Sequence, residues 1–261
     1  MKMTVPNSFF GWVGFVLKEY YPLFLSGIAV TLLVSITGTL IGFVIGLLVA
    51  VLRTVPESKK TLPRILIKIV KFICVTYIEI FRGTPMIVQA MVIFYGLVQI
   101  IPISPLFAAV FVISINTGAY MAEIVRGGII SIDKGQTEAA LSVGMNHWQI
   151  MTTVVLPQAI RNIMPAIGNE FVVNIKDSSV LNVISVSELY FTSKSAAGTY
   201  LRYFEVFFIT AVIYFILTFT VTRLLRIVEK NMDGPQNFTI HGSQSDTAES
   251  VSINTQRRNK R

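Results

Sequence analysis

The stretch Glu138-Ala139-Ala140-Leu141-Ser142-Val143-Gly144, followed after nine residues by Val154-Val155-Leu156-Pro157, is polar, punctuated by glycine and set between long apolar runs. Glu138, Ala139, Ala140 and Leu141 favour helix. Gly144 admits a positive φ or a close backbone approach, so the spacing predicts one short helix turning into another there. The second arm runs from Asn146 to Thr153, and Ile150, Met151, Val154 and Val155 are expected to press apolar surface into a partner. Pro157 is expected to limit that arm and to start the next rise into an apolar run.

Hydrophobic residues make up 53% and charged residues 14% of the 261-residue chain, against roughly one quarter charged in a typical soluble domain. Several apolar runs exceed the roughly eighteen residues that mark a membrane span. The chain therefore reads as an all-α, polytopic membrane protein, with no room for an extramembrane catalytic or receptor domain. Its net charge of +8 flanks the apolar runs and the C-terminal tail. That distribution follows the positive-inside rule and argues against nucleic acid as a partner. A single cysteine, Cys74, excludes an intrachain disulfide and reads as an inert buried thiol; metal-ligand clusters are absent. Lys2 is followed by the amphipathic Phe9, Phe10, Trp12 and Phe15 rather than by a leader-type apolar core, so a retained first span is expected.

Working outward from the central stretch, five crossings are expected. The first covers 25–52 and meets a basic segment carrying Arg53, Lys59, Lys60, Arg64, Lys68 and Lys71. That cluster places the N-terminus outside and the C-terminus in the cytoplasm. Residues 63–82 read as an amphipathic helix that breaks at Gly83-Thr84-Pro85 before an apolar run to Ile101. As one helix, 63–101 would be about 58 Å long, twice a roughly 30 Å hydrocarbon core. Spans at 106–130, 163–191 and 203–227 follow, separated by the cytoplasmic loop 131–162 and an external loop at 192–202. Residues 1–231 thus read as one transmembrane domain and 232–261 as a polar, disordered cytoplasmic tail. Gly38, Gly42 and Gly46 recur every four residues in the first span and are expected to permit close helix packing.

The skeleton E-A-A, three residues, Gly, nine residues, then an aliphatic residue, any residue and Leu-Pro resembles the cytoplasmic coupling loop of ABC importer permeases. Phe81-Arg82-Gly83-Thr84-Pro85-Met86-Ile87-Val88-Gln89 and the region from Gly168-Asn169-Glu170-Phe171 to Lys176-Asp177-Ser178-Ser179-Val180 are similar to the branch for polar amino acids of the histidine, glutamine and arginine type. Val154 stands where isoleucine is more usual. The resemblance implies a type I permease of a bacterial plasma (inner) membrane. It implies an ABC ATPase dimer docking on Glu138, Ala139, Ala140, Gly144, Leu156 and Pro157. A second permease subunit, identical or similar, and an extracellular or periplasmic amino-acid-binding protein complete the expected assembly, with membrane lipid around it. No G-x-x-x-x-G-K-[ST] loop is present. ATP is therefore expected to be used by the partner ATPase, with no catalysis by this chain and no cofactor bound directly. An ion-gradient-driven secondary amino-acid transporter is the alternative, although such folds show two related halves and no internal repeat is visible here.

A polar stripe sits inside the 163–191 span. Glu170, Asn174 and Asp177 fall at i, i+4 and i+7, on one helix face, with Asn169 and Lys176 beside them. A Lys or Asp near a helix centre costs about 2.5–3.5 kcal/mol on insertion scales, so such groups must pair or face water. A free amino acid presents an ammonium and a carboxylate. Glu170 and Asp177 suit the ammonium; Ser178, Ser179 and Thr84 suit the carboxylate. Gln89, Asn116, Tyr120 and Lys176 complete the expected substrate path, Lys176 either touching substrate or pairing with a neighbouring carboxylate.

Overall fold

The computed structural model describes residues 6–56 and 61–232, and every regular element among them is helical. The expected tail lies outside the described residues from 233 on, as do Lys59 and Lys60 of the basic segment. The described residues up to Glu229 form one compact unit; of a second unit, starting at Lys230, only the final residues of the last helix are described.

Helix α1, Phe9–Thr54, is a single helix of 46 residues rather than an amphipathic lead-in followed by a span. At 1.5 Å per residue it is about 69 Å long. Ser8 caps it, accepting from Gly11 N at 3.1 Å, and Pro22 lies inside it without ending it. Proline costs a helical hydrogen bond; the N-terminal turns are held instead by aromatic packing. Trp12 and Phe15 lie 5.6 and 5.4 Å from the Tyr200 ring, and Phe9 lies 5.3 Å from Phe208.

Helix α2, Thr61–Gly83, is the expected amphipathic helix, and α3, Met86–Val98, starts after the expected break with Pro85 as its cap. Helix α4, Pro105–Ile130, begins at a Ser104 cap that accepts from Phe107 N at 3.2 Å. It is the central helix, lined with Ala108, Ala109, Gly118, Ala119 and Ala122, and α1, α2, α3 and α7 all pack on it. Cys74 is buried on α2, and Tyr77 Oη ties the same helix to α4 by donating to Ile115 O at 2.6 Å.

Two short helices follow, α5 (Lys134–Ser142) and α6 (His147–Ile150), then a π-turn at Met151–Val155 and α7, Leu156–Asp177. The expected uninterrupted span 163–191 is not formed. After Asp177 the chain tightens into a 3-10 helix, Ser178–Ile184, and Ser185 leaves it at φ 62°. Ser178 Oγ donates to Ile175 O at 2.9 Å, so serine chemistry competes with the continuing helix at this point. The expected external loop 192–202 is instead mostly helix α8, Leu189–Tyr200, and α9, Tyr203–Met232, closes the described chain.

Among the described residues, Phe9–Thr54, Pro105–Ile130 and Tyr203–Lys230 are long and apolar enough to cross a membrane, and Met86–Val98 is a shorter apolar helix. Helix α7 is not among them, because Glu170, Lys176, Asp177 and the amides lower its hydropathy. The architecture is all-α as expected; helix length and apolarity by themselves do not give the count of five spans.

The α1–α4 contact rests on the glycine series. A Cβ on Gly42 would lie 2.8 Å from Thr117 Cβ, and one on Gly46 would lie 2.7 Å from the backbone N of Ala122. At Gly38 it would collide with Ile113. Backbone cannot give way as a flexible side chain does, and overpacking costs about 1–3 kcal/mol or more. Gly46→Val is expected to lower the thermal midpoint of the detergent-purified protein by several degrees, while Gly14→Val, facing open space, leaves it unchanged; thermal-shift fluorescence reads both.

Candidate functional site

The 131–162 region is built as a capped helical elbow. Asp133 accepts from Gly135 N at 2.7 Å at the start of α5. At the other end Gly144 takes φ 84°, Gly144 N donates to Leu141 O at 3.0 Å, and Met145 N donates to Ala140 O at 3.1 Å. That pair of bonds satisfies the last carbonyls of α5 in a Schellman motif. A capping box opens α6, with Gln149 N donating to Asn146 Oδ1 at 3.0 Å and Asn146 N donating to Gln149 Oε1 at 2.8 Å. The predicted turn at Gly144 is therefore formed as expected.

The apolar assignment within the elbow needs correcting. Ile150, Met151 and Val155 are buried with Ala140 in a small core of the elbow itself, backed by Ile129, Ile132 and Val154. The large apolar side chains that face outward are Leu141, Val143 and Trp148, which are 56%, 77% and 53% exposed. Glu138 and Ala139 are exposed beside them. Pro157 does not end the second arm: α6, the π-turn and α7 follow one another without a break, the proline sitting in the first turn of α7, the helix it is expected to start. The wide turn at 151–155 precedes the residue that cannot donate, which is where a π-bulge relieves the ladder. Leu156 is half-buried against the elbow core.

The other end of α7 carries the polar stripe. Asn174 is buried, and both ends of its amide are used: Thr117 Oγ1 donates to its Oδ1 at 3.0 Å, and its Nδ2 donates to Thr39 Oγ1 at 2.8 Å. One side chain thus ties α1, α4 and α7. Glu170 is half-buried, while Asn169, Lys176 and Asp177 are exposed, so the stripe grades from a packed contact to open surface. Glu170 feels the charges of Asp177, on its own helix, and of Arg82, at the end of α2. The Arg82 guanidinium lies 5.4 Å from the centroid of the Tyr120 ring, on α4. Arg82 is thus within electrostatic reach of Glu170, although no hydrogen bond or ion pair joins the two among the described residues. Arg82 lies in the quoted Phe81–Gln89 segment, yet nothing in helical periodicity would have paired it with Glu170.

Lys176 forms no ion pair with either carboxylate; it lines a cleft against α9 with Arg223 and Arg226. Gln89, Asn116 and Thr84 are brought together at the α2–α3 break. Gln89 Nε2 donates to Phe81 O and Thr84 O at 2.9 Å each and to Thr84 Oγ1 at 2.8 Å, while Asn116 Nδ2 donates to Gln89 Oε1 at 2.9 Å. These amides satisfy carbonyls that the break at Gly83-Thr84-Pro85 frees, and both are buried. Ser178 is buried and bonded to its own helix, and Ser179 is half-buried with its carbonyl taken by Asn182 at 2.7 Å.

Two further polar groups escaped the sequence reading. Glu123 on α4 is clamped between Arg53 at the end of α1 and Arg126, the latter at 2.8 Å, so part of the basic segment is structural. Glu188, fully buried, caps α8 by accepting from Tyr190 N and Phe191 N at 2.8 and 2.7 Å and takes a third bond from Tyr214 Oη at 3.0 Å.

With this geometry in hand, residues 66–234 match the family described as binding-protein-dependent transport system inner membrane component. The glutamine transport system permease protein of Escherichia coli (strain K12) is 37% identical over 214 residues, 81% of this chain and 93% of the relative. The arginine transport system permease protein of Bacillus subtilis (strain 168) is 34% identical over 213 residues, again 81% and 93%. Among solved structures, an amino acid ABC transporter crystallised with histidines aligns with TM-score 0.74 and 39% identity, covering 87% of this chain and 100% of that one. The methionine ABC transporter MetNI in an inward-facing conformation shares the fold, with TM-score 0.67 at 23% identity, covering 81% and 97%. The chain belongs to the family of binding-protein-dependent transport system inner membrane components.

Proposed function

We propose that this chain is the membrane-spanning permease subunit of an ATP-driven importer for polar amino acids. It forms the translocation path and couples it, through the 138–157 elbow, to a separate ATPase dimer that hydrolyses the ATP. A second permease subunit pairs with it, and an extracellular or periplasmic binding protein delivers the cargo. Relatives named for glutamine and arginine transport, and a neighbour solved with histidines, support an amino acid as that cargo.

The observation that carries the reading is the outward set Leu141, Val143 and Trp148. The elbow already satisfies its own backbone ends and buries its own small core, so these side chains are not needed to hold it together. Exposed tryptophan and aliphatic groups on a rigid, polar-flanked element suit a protein partner, where a buried Trp often dominates binding. The cargo's charges suit the region at the other end of α7: Glu170 and Asp177 hold the ammonium, and Arg82, stacked on Tyr120, offers a bidentate fork to the carboxylate. Ser178, Ser179, Thr84, Gln89 and Asn116 shape this path through the hydrogen bonds that fix its helix ends. Lys176 lies to one side of it.

Affinity purification from detergent-solubilised membranes tests the coupling half. Wild type is expected to bring down an ATPase, and Trp148→Ala or Gly144→Asp to retain less than about a tenth of it, since one hot-spot loss of about 2 kcal/mol exceeds tenfold. Equal recovery from all three would remove the elbow from the ATPase interface. Uptake kinetics test the path. Glu170→Gln, Asp177→Asn and Arg82→Gln are each expected to slow uptake at least tenfold with ATPase recovery intact. Wild-type rates in all three would place the path elsewhere.

A further inference from the structure

Lys176 from α7 and Arg223 and Arg226 from α9, residues far apart in sequence, line one cleft of about 240 Å³. No aspartate or glutamate lines it; Val172, Phe215, Phe219, Thr218 and Thr222 complete the lining. Among the described residues none of the three cations makes a hydrogen bond or ion pair. Arg223 lies over its own helix's Phe219 ring at 4.9 Å. Asp177, next in sequence to Lys176, is felt by charge but forms no ion pair with it, and Glu229, one turn beyond Arg226, lines a different, apolar cleft.

Arg223 and Arg226 lie 20 and 23 residues from Tyr203, about 30–35 Å along α9 and so near the far edge of a roughly 30 Å hydrocarbon layer. Lys176 reaches the same cleft from α7 with its long stem. Three like charges lining one cleft repel one another, which an anion shared between them offsets. We propose that this cleft binds an anionic phospholipid, its phosphodiester held by Lys176, Arg223 and Arg226 and its acyl chain laid against Val172, Phe215 and Phe219. Basic groups alone would suit any phosphate. The apolar lining beside them is what selects a lipid, which carries both a polar and an apolar part. The site does not depend on which cargo is carried.

Native mass spectrometry of the delipidated permease–ATPase complex tests this, with phosphatidylglycerol and phosphatidylcholine of identical chains as probes. Wild type is expected to carry phosphatidylglycerol at least tenfold more than phosphatidylcholine. Both Lys176→Gln and the pair Arg223→Gln with Arg226→Gln are expected to lose that preference. The control pair Lys68→Gln with Arg161→Gln removes two exposed charges elsewhere and is expected to keep it. Melting temperatures measured alongside identify any variant that fails to fold, and Lys176→Gln then carries the test. Unchanged phosphatidylglycerol occupancy in folded variants overturns the proposal. So does full displacement of the lipid by millimolar glycerol phosphate, which would make the cleft a soluble-anion site. Efficient cross-linking of two copies through Phe219→Cys would also overturn it, by making the cleft an interface between subunits.

Discussion

The close approach of α1 and α4 through Gly38, Gly42 and Gly46 is the contact on which the rest of the molecule is hung. In a membrane, apolar side chains gain little by leaving lipid for protein, so association relies on packing and on hydrogen bonds between helices. Glycine brings the two backbones near enough that Thr39 on α1 and Thr117 on α4 flank the same position. Asn174 fills it, donating to one threonine and accepting from the other. Helix α7 is thereby fixed to both partners at a single buried amide. A side chain larger than hydrogen at Gly42 or Gly46 would separate the helices and leave that amide unpaired as well.

From this node α7 extends both ways. Toward its N-terminus it passes Glu170 and runs through the π-turn into the elbow that presents Leu141, Val143 and Trp148; toward its C-terminus it reaches Asp177 within one turn. Pro165 removes one hydrogen bond from the ladder between the elbow and Glu170. In the proposed function, a push on the elbow would reach Glu170 before it reaches the Asn174 anchorage. The Arg53–Glu123–Arg126 clamp ties the end of α1 to α4.

Much of this was legible in the residues. The Gly83-Thr84-Pro85 break, the positive φ at Gly144, the amphipathic α2 and the packing glycines each follow from a local steric property, which a sequence displays directly. The errors fall where tertiary contacts decide. The expected first span covers 25–52 after an amphipathic stretch, whereas α1 runs unbroken from Phe9 through Pro22, its first turns packed on Tyr200 through Trp12 and Phe15. Apolarity continues past Asp177, so hydropathy sees one span where serine side chains end the helix. Ile150 and Val155 and Leu141 and Val143 are chemically alike; only the fold of the elbow sorts them into an inner and an outer set. Arg82 and Glu170 are 88 residues apart, and no periodicity links them. The 138–157 skeleton pointed to the family that the comparisons establish, whereas most of the expected path residues acquired structural bonds that their sequence positions did not disclose.

The most direct test of the account is uptake of labelled glutamine or arginine into vesicles containing this chain with its ATPase and binding protein, with ionophores collapsing every ion gradient. The account predicts accumulation that requires ATP on the side of the elbow and is indifferent to the ionophores. Accumulation that proceeds without ATP and stops when the gradients collapse would contradict it, and would make the chain a gradient-driven carrier.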